Sequence, residues 1–138
     1  MQARTSHGTD GFALFHRGIE IGEVASGKVT FAGFTTRDDA ALAASLAHHA
    51  LRRRRARDGQ RKRPEGSRAD AVIRWQETPD GDRLWAFDVE LMEEERQGVF
   101  ATSRARTMWS ALRAAGLDRR MRQLRDETLA TAGNGTLN

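Results

Sequence analysis

A dense run of arginine divides the chain into two parts. Nine basic and only three acidic side chains lie between residues 51 and 70, in the segment LRRRRARDGQRKRPEGSRAD. Gly59, Pro64 and Gly66 interrupt regular structure there, because glycine and proline favour turns and loops. So polar a segment cannot supply a hydrophobic core, and the fold must be built from the residues on either side. We predict a basic linker over residues 56–70.

Before the linker, the spacing of apolar residues along the chain is first that of strands and then that of a helix. The segment GFALFHRGIEIGEVASGKVTFAGF predicts strands at 12–15, 19–24 and 29–34, joined by turns at HRG and SGK. Thr35 or Thr36 is a candidate N-cap for the helix that follows. Its apolar stripe would consist of Leu42, Leu46, Ala47, Ala50 and Leu51. Residues 11–55 are therefore expected to form a sheet covered by one helix.

The residues after the linker, 71–130, repeat this order. AVIRW, RLWAFDVEL and GVFATS predict three strands, and SRARTMWSALRAAG predicts a helix with Gly116 as its C-terminal cap. Aligning Phe34 with Phe100, 66 residues apart, superimposes the two apolar patterns and indicates an internal duplication. A short C-terminal helix is predicted to begin at Asp118 and to pack through Met121, Leu124 and Leu129.

The predicted fold class is α+β, with two similar sheet-then-helix halves (βββα, basic linker, βββα) and a short C-terminal helix. Residues 1–10 are expected to be a flexible start, and residues 131–138 a frayed tail. No apolar run approaches the length of a membrane span, and the opening MQARTSHGTDGF lacks the apolar centre of a secretion signal. We expect a soluble, cytoplasmic protein that has no membrane partner.

The charge distribution predicts a polyanionic partner. The formal net charge is +4, and the excess lies in residues 51–70, because the residues on each side of that segment carry one more acidic than basic side chain. Guanidinium groups bind phosphate oxygens bidentately. The sequence therefore predicts a non-catalytic nucleic-acid-binding protein that contacts the phosphate backbone, with DNA favoured over RNA. The candidate contact residues are Arg52, Arg53, Arg54, Arg55, Arg57, Arg61, Lys62, Arg63, Arg68, Arg74 and Arg83.

Arg74 and Arg83 enter this set for a separate reason. They lie on adjoining predicted strands, where a pair of arginines on one sheet face would place positive charge opposite the helices. Sheet-based readers of nucleic acid need that geometry. The sequence thus predicts a second basic surface on the sheet.

An alternative interpretation makes the basic segment a solvated linker. In this view Arg52–Arg55 extend the first helix and stabilise its negative C-terminal end. Two thin sheet-plus-helix units would still leave apolar sheet faces bare. The protein would then be an interaction or assembly module, such as a homodimer that buries those faces.

Motifs for chemistry are absent from the sequence. Without cysteine the chain can form neither a disulfide nor a thiolate metal site. His48 and His49 are adjacent on a predicted helix and point about 100° apart, so they cannot chelate one metal ion. Glu93, Glu94 and Glu95 fall in a predicted turn, where carboxylates are common. There is no P-loop and no GxGxxG, GxSxG or HExxH motif. We therefore expect no cofactor, no metal site and no enzymatic activity.

The segment VTFAGFTTRDDAALAASLAHHA resembles the last strand and helix of the three-stranded-sheet DNA-binding domains of phage-type integrases and plant ethylene-response factors. In those families the sheet enters the major groove, and strand arginines contact the bases. The corresponding basic residues here are Arg17 and Lys28. The tandem order is also similar in architecture to Pur-type repeats. The first resemblance implies DNA binding, and the second, which is one of architecture only, implies binding of single strands.

Overall fold

The computed structural model describes residues 2–4, 11–59, 71–77 and 81–122. The described strands are β1 (Gln2–Arg4), β2 (Gly11–His16), β3 (Ile19–Ala25), β4 (Lys28–Phe34), β5 (Ala71–Glu77) and β6 (Arg83–Glu90). The described helices are α1 (Arg37–Arg57) and α2 (Gly98–Ala114), with 3-10 helices at Glu93–Glu95 and Leu117–Arg120. The strands form one antiparallel sheet in the order β1-β2-β3-β4-β6-β5. The predicted α+β class is confirmed.

The first half folds as its sequence pattern predicts. The three predicted strands agree with β2, β3 and β4 to within one residue at each end. Two-residue turns join them, and both residues of each turn have positive φ: Arg17 and Gly18 in the first, Ser26 and Gly27 in the second. Such turns match the right-handed twist of the strands they connect. The start of the chain, predicted to be flexible, contains β1, which pairs with β2.

Among its described residues, the second half contributes two strands rather than the three predicted. The predicted strand GVFATS is wrong, because these residues form the start of α2, where the amide of Ala101 donates to the carbonyl of Gln97 at 2.8 Å. Strand β6 already pairs with β4 on one side and with β5 on the other, so it has no free edge for a third strand. Phe34 therefore lies in a strand and Phe100 in a helix, and the predicted βββα duplication is not supported.

Both helices pack on one face of the sheet. The core-facing strand residues include Val24, Val29, Val89 and Ala71, which lie side by side across β3, β4, β6 and β5. The rings of Phe31 in β4 and Trp109 in α2 stack with centroids 5.7 Å apart. Within the described residues, no helix is both long enough and apolar enough to cross a membrane.

Helix α1 begins as predicted and buries most of the predicted stripe: Ala47, Ala50 and Leu51 are buried, and Leu46 is partly buried against the core. The hydroxyl of Thr36 accepts a hydrogen bond from the amide of Asp39 at 3.1 Å, which makes Thr36 the N-cap. Leu42, predicted to face the core, is 48% exposed. The buried face consists of Ala40, Ala43, Ala44, Ala47, Ala50, Leu51 and Arg55. Small side chains over most of this face let the helix lie close to both the sheet and α2.

The chain after α2 turns back toward the sheet. Gly116 adopts the predicted left-handed conformation, with φ of 73°. Of the helix predicted to begin at Asp118, the described residues show only its start: Leu117–Arg120 is a 3-10 helix, and Met121 is extended and bridges to Phe34. Met121 is buried, as predicted. Leu124 and Leu129 lie outside the described residues.

A buried histidine makes the stability of this core depend on pH. His16, expected from the sequence to lie in a turn, is only 7% exposed and accepts a hydrogen bond at Nδ1 from Nε1 of Trp109 at 3.3 Å. Burial, followed by the charge of Arg113, lowers the pKa of His16 below its ordinary value of 6.5.

The unfolded chain therefore takes up this proton at a higher pH than the folded chain. We expect the free energy of unfolding to fall as the pH drops below about 6.5, toward the lowered pKa of the folded state. Urea denaturation between about pH 7.5 and about pH 5.5 measures this change. A His16→Gln variant should lose this part of the pH dependence. An equal pH dependence in the two proteins would contradict the assignment.

Candidate nucleic-acid interface

Three of the candidate arginines stand exposed at the C-terminal end of α1. Arg52, Arg53 and Arg57 are exposed, and within the part of the chain that the structure describes none of them forms an ion pair. We call these three residues the α1 arginine cluster. Positive charge at this end of a helix is favourable, because the unsatisfied carbonyl groups there carry partial negative charge. The cluster therefore stabilises α1 and still presents its guanidinium groups to solvent.

The neighbouring Arg55 is committed to a buried ion pair. Its Nε donates to Oε1 of Glu95 at 3.0 Å, and its Nη2 donates to the same oxygen at 2.5 Å. Both side chains are buried, and that of Glu95 is fully so. Arg55, predicted to contact nucleic acid, therefore holds the end of α1 against the turn that precedes α2.

A second arginine completes this arrangement from α2. Nε of Arg104 donates to Oε2 of Glu95 at 2.7 Å, and Nη1 of Arg104 lies 2.6 Å from Oδ2 of Asp58. Nε of Arg54 donates to the same Asp58 oxygen at 3.3 Å. We call Arg55, Glu95, Arg104 and Asp58 the Glu95 cluster. It joins the end of α1 to the first turns of α2.

The carboxylates of the Glu95 cluster stay ionised. Burial alone would raise the pKa of Glu95, but hydrogen bonds from Arg55, from the amide of Met92 and from Arg104 together hold it below its ordinary value. The hydrogen bond from Arg104 likewise lowers the pKa of Asp58. At neutral pH the cluster is therefore a fully charged network that fixes the backbone beneath the α1 arginine cluster.

The predicted second basic surface on the sheet does not form. Arg74 pairs in register with Ala86 and Arg83 with Glu77, so the two arginines lie on opposite faces of the sheet. Nε of Arg74 donates to Oδ2 of Asp88 at 2.8 Å. The guanidinium of Arg83 lies 4.4 Å from the centre of the Trp75 ring, as expected of a cation–π contact. Neither arginine joins the α1 arginine cluster.

The sheet face opposite the helices is polar and carries more acidic than basic groups. On β3 to β6 its charged residues are Glu20, Glu23, Asp88, Glu90, Lys28 and Arg74. The hydroxyl of Thr30 donates to Asp88 at 2.5 Å. Burial raises the pKa of Asp88, but the hydrogen bonds from Arg74 and Thr30 outweigh it and lower that pKa. A groove of about 240 Å³ on this face is lined by Glu20, Glu23, Thr30 and Arg74, among others. Phosphate would be repelled from this surface.

Several sequence predictions have a clear outcome within the described residues. Trp85, in the predicted strand RLWAFDVEL, packs against the core, and Trp109, in the predicted helix SRARTMWSALRAAG, is buried. Glu95, expected to lie in a solvated turn, is instead the centre of the Glu95 cluster. Three consecutive glutamates carry no periodic signal, so nothing in the sequence separates Glu95 from Glu93 and Glu94. The predicted contacts Arg61, Lys62, Arg63 and Arg68 lie outside the described residues.

Comparison with known proteins gives no relative. No protein-family model, no curated protein and no solved structure matches this chain.

Proposed function

We propose that this protein binds nucleic acid without catalysing a reaction, and that the α1 arginine cluster makes the main described contacts. The observation that carries the proposal is the exposure of three guanidinium groups within six residues of one helix, Arg52, Arg53 and Arg57. Each can form a charge-assisted bond to a phosphate oxygen. Arg61, Lys62, Arg63 and Arg68 would extend this surface along the chain.

The Glu95 cluster supports the proposal by holding the end of α1 in place. A guanidinium that projects from a fixed helix loses less conformational freedom on binding than one on a mobile segment. The contacts would be to phosphates rather than to base edges, because the arginines of the sheet are engaged by Asp88 and Trp75. We therefore expect weak sequence specificity, with DNA favoured over RNA.

Removing the α1 arginine cluster should weaken binding. In the triple variant Arg52→Gln, Arg53→Gln, Arg57→Gln, we expect affinity for a labelled oligonucleotide to fall roughly 10- to 100-fold at moderate salt. Glutamine keeps helix propensity and removes only the charge. Fluorescence anisotropy measures the loss, and circular dichroism verifies that the helices are retained.

A matched control has the same change in net charge at another place. Arg17, Arg113 and Arg119 are exposed, and Arg17 and Arg113 lie near His16 and the last turns of α2. Replacing these three by glutamine should change affinity by less than about threefold, because they lie outside the proposed interface. Equal losses in the two triple variants would show a non-specific effect of net charge and reject the proposed site.

An assembly function is the second candidate, and the edge of the sheet favours it. Among the described strands β5 forms one edge of the sheet, and its residues Val72 and Trp75 are 59% and 47% exposed. Unpaired edge strands are templates for pairing with another chain. In this view the chain is a homodimer by light scattering, binds no oligonucleotide, and assembles equally well in the α1 triple variant.

A further inference from the structure

Two large apolar side chains are exposed to solvent beside the α1 arginine cluster. Val99 is 83% exposed and Phe100 is 56% exposed, both in the first turn of α2. The apolar residues that follow in α2 are buried, among them Ala101, Met108 and Leu112. The exposure of Phe100 is thus a local feature of this turn.

The structure places this turn at the same end of the helical layer as the α1 arginine cluster. Phe100 and Arg104 are four residues apart in α2 and so lie along the same side of the helix. Arg104 bonds Asp58, which directly follows Arg57. At the opposite end of the layer, Arg120 bonds Asp39 near the start of α1. The helices therefore run antiparallel, and the first turn of α2 adjoins the end of α1.

We infer that this surface binds single-stranded nucleic acid, with the Phe100 ring stacked on an unpaired base while Arg53 and Arg57 contact the neighbouring phosphates. This inference rests on the proposed function and specifies its substrate. Proteins that hold single strands combine aromatic side chains, on which bases stack, with a positively charged track for the backbone. In a duplex the bases are already stacked and paired, so an exposed Phe100 has no base to meet.

The exposed charges at this end of the helical layer are of both signs. Glu93 and Glu94 are exposed in the 3-10 helix just before α2, and they repel phosphate. Arg53 and Arg57 are exposed on α1, and they attract it. The phosphates of the strand are therefore expected to contact Arg53 and Arg57 while a base stacks on Phe100.

Substitutions of Phe100 separate base stacking from charge. With the full-length protein, we expect Phe100→Leu to weaken binding of a labelled oligothymidylate roughly tenfold. The affinity of Phe100→Leu for a duplex of the same length should be unchanged within about twofold, because the protein would bind a duplex through phosphate contacts alone. Leucine keeps the apolar surface and the helix propensity but offers no ring. Phe100→Trp should retain the affinity of the original protein for the single strand.

The possible outcomes distinguish this inference from the proposed function. If Phe100→Leu binds the single strand as tightly as the original protein, while the α1 triple variant binds weakly, the stacking inference is wrong and the function stands. If neither oligonucleotide is bound by the original protein, both are rejected. Basic helices with exposed apolar residues also bind anionic membranes. If the original protein binds vesicles that contain phosphatidylserine and neither oligonucleotide, the partner is a lipid surface, and both the stacking inference and the proposed function are rejected.

Discussion

Replacing Glu95 by alanine is expected to destabilise the protein by about 3–5 kcal/mol. The substitution leaves the guanidinium groups of Arg55 and Arg104 buried beside an empty space, with their shared carboxylate removed. Breaking a buried ion pair by deleting one partner is costly, because the remaining charge loses both its partner and its water. The amide of Met92 loses its acceptor as well. Most natural domains are stable by only about 5–15 kcal/mol, so this loss is a large fraction of the total.

The same turn supplies the control for this prediction. Glu94 precedes Glu95 and is exposed, so Glu94→Ala should change the free energy of unfolding by no more than about 0.5 kcal/mol. Urea denaturation at neutral pH, with the slopes of the transitions compared, measures both variants. Similar midpoints for Glu94→Ala and Glu95→Ala would contradict the account of the Glu95 cluster.

Replacing Gly22 by alanine is expected to destabilise the protein by about 3 kcal/mol or more. A methyl group at this position in β3 would clash with the carbonyl oxygen of Thr30 in β4. The obstacle is backbone rather than the end of a flexible side chain, so the two strands must move apart. Their separation would disturb Phe31, which pairs in register with Gly22 and stacks on Trp109.

Gly98 provides the matched comparison for this substitution. It opens α2 and lacks a positive φ. Apart from its chain neighbours and the backbone of its own helix, no heavy atom lies within 4 Å of the position that an added methyl group would take. Gly98→Ala should therefore be neutral or stabilising by up to about 1 kcal/mol. Thermal denaturation of the two variants tests the difference, and a Gly22→Ala protein as stable as Gly98→Ala would show that β3 and β4 tolerate the added methyl group.

Local sequence signals account for the parts of the fold that the sequence predicts well. Alternating apolar residues and Gly-containing turns specify β2, β3 and β4, because adjacent hairpin strands need only short-range pairing. The cap at Thr36 is likewise a local feature. The prediction of a strand at GVFATS was wrong because a short run of residues with strand propensity is also compatible with the first turn of a helix. The pairing of β4 with β6, which decides between the two, joins residues that are far apart in the chain.

The candidate site also has a part that the sequence predicts and a part that it does not. The density of charge is enough to suggest exposed arginines, as found for Arg52, Arg53 and Arg57. Nothing in a run of four consecutive arginines indicates that Arg55 is buried. Its partner Glu95 lies 40 residues away, and only the packing of α1 against α2 brings the two together. Leu42 illustrates the same limit, because the alanines beside it, and not its own hydrophobicity, determine which face of α1 meets the core.

The central claim is that the exposed charge of the α1 arginine cluster binds phosphate, and the salt dependence of oligonucleotide binding tests it most directly. If about five phosphates of a duplex oligonucleotide are neutralised, a plot of log affinity against log salt concentration should have a slope of roughly −4 to −5 for the original protein. The slope for the α1 triple variant should be shallower by about 2 to 3, one increment for each lost phosphate contact. A flat response in the original protein, or equal slopes in the two proteins, would contradict the claim.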